Sequence, residues 1–269
     1  MDGYIGLFSH EDAERFEILQ LASSGCGVTA LCNVLVALRI VNPEQAKSLN
    51  WDGCILRTRL NDAPLPQYLY SRSVAGCTGE DLVTSMVSLI SNNGDLLRSQ
   101  GCKAHVEGKF VPFADITSSA ETFHSFLQQN LQQGKAMVAL LNLQLLGNDA
   151  WHHQLIYGID TAHSIDGSPP SMVYCVNPVC EYPVDLMQKM VSTQSVLLVR
   201  GEDVLKRHDR PGGDGSVYQH PDWVKLKVEE QIKTLVDTSE HDTGSAEARY
   251  VAIPANYVGG LAVFSRIDE

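Results

Sequence analysis

Apolar positions recur at helical spacing through the first half of the chain and in short solid blocks through the second. Val28, Leu31, Leu35 and Leu38 follow the three-and-four rhythm of one apolar face and predict a helix over 27–38, with Ser23 or Ser24 ahead of it as N-cap. Pro43 suits the first turn of a short helix over 43–49. Thr78 and Asp81 have capping-box spacing, Leu82, Met86, Leu89 and Ile90 share the face that follows, and Asn92-Asn93-Gly94 ends it. Phe123, Phe126, Leu127 and Leu131 predict a helix over 119–133, closed by Gly134. Residues 50–78, with Trp51, Pro64, Pro66 and no clean period, read as irregular.

A short strand is expected at 103–110, and beyond Gly134 the pattern turns decisively to strands. The runs 136–143, 153–159, 172–176 and 195–200 are apolar, short and separated by turn signals, which predicts antiparallel pairing. Helices followed by strands imply an α+β fold, a helical N-terminal half packed on an antiparallel sheet. We draw a main domain at 1–200 and a C-terminal extension at 201–269 packed on it. The extension holds a glycine-rich loop at 210–215, a helix carrying Val224, Val228, Ile232 and Leu235, and a strand pair over 251–264.

Composition narrows the function. With 269 residues and 44% hydrophobic content, the chain can bury an ordinary core. Lys+Arg number 20 against 32 Asp+Glu, a net charge of -12, so the basic footprint of a nucleic-acid partner is missing. No apolar run reaches a membrane span, and the start lacks the pattern of a secretory signal, which points to a cytoplasmic protein. The cysteines at 26, 32, 54, 77, 102, 175 and 180 are odd in number and contain no CxxC zinc pair. Most read as buried reduced thiols, Cys175 and Cys180 among them, and neither a metal nor a cofactor is expected.

Cys26 needs a different account. It stands between Gly25 and Gly27 at the mouth of the first long helix, where free N–H groups and the helix dipole favour a thiolate. The flanking glycines leave room for another molecule to approach the sulfur. Gln20, six residues earlier, offers a side-chain amide which, with the Cys26 N–H, would stabilise an oxyanion. A thiol nucleophile needs an imidazole partner and an orienter for it. His152 and His153 open a predicted strand, and adjacent strand residues point to opposite faces, so only one of them can face Cys26. Asn177, in the Val-Asn-Pro turn after the next strand, is placed to hold that ring. Trp151 reads either as a cover over the imidazole or as core.

Gln-x5-Cys at a helix start, a distant His before an apolar strand and a following Asn resemble the papain-like cysteine peptidases. SGCGVTAL, HHQLIYGID and VNP are most similar to the papain-like domain of the bacteriocin-processing, double-glycine leader peptidases. That resemblance implies a papain-like fold over about 18–200 and a catalytic His six residues before a strand glycine. Counting back from Gly158 selects His152 over His153. In those peptidases the orienter is usually an Asp before Pro; Asn177 keeps the geometry and removes the charge. The implied activity is hydrolysis of a peptide or isopeptide bond in a peptide or protein substrate, through a thioester on Cys26. Two other readings stay open: acyl or γ-glutamyl transfer or side-chain deamidation from the same acyl-enzyme, and a non-catalytic binding module that keeps the fold.

Overall fold

The structure is a computed structural model that describes residues 3–22, 24–99, 105–116, 119–148, 151–161, 170–193, 196–239 and 250–268. The elements run β1 (Tyr4–Gly6), α1 (His10–Phe16), α2 (Cys26–Ala37), α3 (Pro43–Lys47), α4 (Leu65–Val74), α5 (Gly79–Asn92) and α6 (Gly94–Ser99). Then come β2 (His105–Pro112), α7 (Phe113–Ile116), α8 (Ala120–Gln132), β3 (Ala136–Asn142), β4 (Trp151–Asp160), β5 (Met172–Val176) and β6 (Cys180–Pro183). The chain continues with α9 (Val184–Ser192), β7 (Val196–Arg200), α10 (Gly201–His208), α11 (Pro221–Lys225), α12 (Val228–Ser239), β8 (Tyr250–Pro254) and β9 (Gly260–Ile267). The fold is α+β, with helices concentrated N-terminally and an antiparallel main sheet.

The main sheet has the order β2-β9-β3-β4-β5-β6, and β1 pairs with the distal end of β4. Every residue of β3 is buried, as expected for a strand covered on both faces. Val138 and Leu140 point into one core with α2 and α5, whereas Met137, Ala139 and Leu141 point into another with α8 and α9. Capping fixes where α5 starts: Thr78 accepts from the Asp81 N–H at 3.2 Å while Asp81 accepts from the Thr78 N–H at 2.8 Å. α2 differs from its expected one-faced pattern, because all twelve of its residues are buried. A helix apolar nearly all round belongs inside the protein. Its polar positions are satisfied locally, Asn33 accepting from the Ile18 N–H and donating to the carbonyls of Ile18 and Thr29.

Three expectations change. The irregular reading of 50–78 misses α4, which opens with Pro64 as N-cap and Pro66 in its first turn, positions where a missing N–H costs nothing. The two strands over 251–264 do not pair with each other: β8 pairs with β7 in a separate two-stranded sheet, and β9 inserts between β2 and β3. Strands from the 201–269 segment thus pair with strands of the 1–200 segment, β8 with β7 and β9 with β2 and β3. β7, β8, α4 and α10–α12 enclose a third core around Trp223, Val251 and Ile253, joined to the sheet through Trp151 and Tyr257. Finally, of the expected N-caps Ser23 and Ser24, Ser23 lies outside the described residues, as does Cys102, and Ser24 adopts φ +58° ahead of the actual N-cap of α2, Gly25, which has no side-chain cap. Among the described residues, no helix is long and apolar enough to cross a membrane.

Candidate active site

Cys26 is the first residue of α2 and lies on the face of the sheet that α2 covers. On β4, His153, Leu155 and Tyr157 point toward that helix, while Ile156 points into the opposite core. Cys26 Sγ and His153 Nδ1 lie 3.1 Å apart, a hydrogen-bonding distance for sulfur. Both groups are buried, Cys26 at 7% exposure and His153 at 1%. This corrects the choice of His152. The alternation of a strand allows one histidine on each face, and His152 occupies the far one. There its Nε2–H donates to the carbonyl of Asn177.

Asn177 also departs from its expected role. Its side chain is buried, and its Nδ2 donates to the backbone carbonyls of His153 at 3.1 Å and Cys26 at 3.3 Å. It thus ties the first turn of α2 to β4 and leaves the imidazole untouched. The His153 Nε2 is buried and has no hydrogen-bond partner of ordinary geometry among the described residues. The Asn177 backbone is equally committed: its N–H donates to Glu17 Oε1 at 3.0 Å and its carbonyl accepts from both His152 and Gln154. Asn177 adopts φ +79°, a left-handed conformation that Asn tolerates better than most residues.

Gln20 is exposed, and its Nε2 donates to the Ala22 carbonyl at 2.8 Å. The preceding chain is pinned to the flank of α2 by Asn33 and by Thr29, whose hydroxyl accepts from the Leu21 N–H at 3.1 Å. The donors directed at Cys26 are instead the backbone N–H groups of His153, Gly27 and Cys26, all of which favour the thiolate.

The space beside Gly27 is not open to a ligand. A methyl placed on Gly27 would overlap Cys77 Sγ and crowd Leu82, so this glycine lets the residue before α5 press against α2. Cys77 is the site neighbour that sequence reasoning missed. Its signal was faint: one more cysteine, immediately ahead of the Thr78 cap. On the other side Tyr257 stacks on Trp151 with ring centroids 5.2 Å apart and lies 6.5 Å from the His153 ring. Trp151 is accordingly core, packed at the edge of the site.

Burial governs the electrostatics. It pushes the Cys26 thiol above its ordinary value, against the opposing influence of the His153 and Gly27 backbone N–H groups and the charge of Arg59. Burial, followed by the neighbouring His152, pushes His153 down to about 3, although the Cys77 backbone favours the protonated ring. Near neutrality the pair is therefore a thiol donating to a neutral imidazole, with the ring proton on Nε2. The arrangement can move a proton from sulfur to Nδ1 and expose a thiolate beside three backbone donors. Among the described residues no group of His, Cys, Asp and Glu has the arrangement of a metal site. No known family model matches this sequence, and no curated protein matches it.

Proposed function

We propose that the protein is a cysteine-nucleophile hydrolase acting on a peptide or isopeptide bond, with Cys26 as nucleophile and His153 as general base and acid. The contact of 3.1 Å between Cys26 Sγ and His153 Nδ1, at a helix start with no side-chain cap, carries this reading. The resemblance to papain-like peptidases supports the choice of bond.

In the first half-reaction the sulfur proton passes to His153 Nδ1 while sulfur attacks the carbonyl carbon. The negative oxygen is stabilised by the Cys26 and Gly27 N–H groups, the role first assigned to Gln20. His153 then returns the proton to the departing amine as the C–N bond breaks, leaving a thioester. Water, deprotonated by His153, attacks the thioester and releases acid and free thiol. Asn177 is a positioning residue, holding the two backbone segments that carry nucleophile and base. A free nucleophilic thiol is suited to a reducing compartment, which supports a cytoplasmic location.

The test is labelling by an electrophilic peptide probe that captures nucleophilic cysteines. Labelling that persists unchanged in Cys26→Ala, or in His153→Ala, removes the proposal.

A further inference from the structure

The third core leaves a groove of about 790 Å³ between α4, the turn over Gly215–Gln219, α11 and the end of β8. Its floor is Trp223, which is buried, and its walls include Leu60 and Tyr70, large apolar side chains left 51% and 54% exposed. Two such residues facing one concavity form the kind of apolar surface that marks a binding site. The rim is acidic, carrying Asp214 and Asp222, in a chain that is already strongly negative. Cationic ligands are therefore drawn to it and anionic ones repelled.

The groove adjoins the thiol site along the chain. Two chain segments form its inner wall, and they are joined where the Asn256 N–H donates to the Ser73 carbonyl at 2.7 Å. Followed onward, both reach the site within four residues. Ser73 leads to Gly76 and then to Cys77, which packs on Gly27. Asn256 leads to Tyr257, stacked on Trp151 and beside His153. The Tyr257 hydroxyl approaches Gly76 so closely that a Cβ there would meet it at 3.0 Å, so the two segments pack against each other beside the pair.

We propose that this groove binds the substrate chain of the Cys26 site, seating a bulky apolar side chain over Trp223 and an adjacent Lys or Arg against Asp214 and Asp222. The assignment of this ligand as substrate rests on the hydrolase reading, whereas the groove's preference for an apolar–basic peptide does not. His220, also on the rim, lies 3.8 Å from Asp222 and is exposed, so it offers no buried charge to oppose a cation.

Fluorescence anisotropy of short labelled peptides with the full-length Cys26→Ala protein tests the groove directly. Three peptides suffice: one with adjacent Phe and Arg, one with Glu in place of Arg, and one with Ser in place of Phe. The first should bind at least about fivefold more tightly than either other, and the charge preference should collapse in the Asp214→Asn, Asp222→Asn double variant. Equal binding of the three peptides, or a preference untouched by the double variant, overturns the proposal. Incubation of the same peptides with wild-type protein then separates the two ideas. Selective binding without cleavage or thioester formation removes the hydrolase reading and leaves a peptide-binding groove. Cleavage that ignores the peptide's charge and apolar residue keeps the hydrolase and removes the groove as its substrate site.

Discussion

The Nε2 of His152 lies 2.5 Å from the carbonyl oxygen of Asn177, on the face of β4 turned away from Cys26. That bond commits the ring to a structural contact and leaves His153 as the imidazole on the sulfur. His153→Ala should lower probe labelling at Cys26 by at least about a hundredfold, the usual span of a lost general base. His152→Ala should change it by less than tenfold. Equal losses in the two variants, measured as labelling rates by mass spectrometry, would refute the assignment.

The resting pair is neutral, and its pH response follows. With the thiol raised by burial, alkylation of free protein by iodoacetamide should climb with pH and still be climbing at pH 9. A thiolate–imidazolium pair would instead keep a reactive plateau down to about pH 5.

His153 also links folding to pH. Its folded value near 3 lies below the ordinary 6.5, so the unfolded chain binds more protons between those limits. The native state is not penalised above pH 6.5 and loses stability progressively as pH falls toward 3. His153→Gln should flatten the fall in Tm between pH 7 and pH 4, read by thermal denaturation. An unchanged slope would show that the ring is not buried as the unprotonated form.

Asn177 offers a sharp comparison, because Asp is the residue the resemblance would favour at that place. A carboxylate cannot donate to the carbonyls of Cys26 and His153, and would bring charge against their oxygens. Asn177→Asp should destabilise the fold by about 2 kcal/mol or more at pH 8. Asn177→Gly keeps the φ of +79° and isolates the loss of the amide. Wild-type stability in the Asp variant, by urea denaturation, would mean that the side chain serves the imidazole after all.

Gly27→Ala should cost roughly 1–3 kcal/mol through overlap with Cys77. Cys77→Ala in the same chain should recover most of that loss, giving a favourable coupling energy in a double-mutant cycle. Additive losses would place the strain elsewhere.

Local signals were the readable ones. The Thr78–Asp81 box set the start of α5 within a residue because both partners lie in one turn. Cys26 at a helix start was legible for the same reason. The parity of β4 was not: His152 shares its face with Ile156 and His153 with Leu155 and Tyr157, so both faces are apolar and only the docking of α2 distinguishes them. α4 stayed hidden because its buried set includes Ser71, Arg72 and Ser73, polar residues that read as solvent-facing. Tyr257 and Cys77 are brought to the site solely by tertiary packing, without a motif to announce them.

The position of β9 has a consequence for biosynthesis. Residues 105–112 find their only sheet neighbour among the described residues in residues 260–267, and β3 is paired on that flank by the same strand. A growing polypeptide thus carries Cys26 and His153 long before the sheet beneath them is closed. The sheet behind the Cys26–His153 contact can therefore close only after the ribosome has released residue 267.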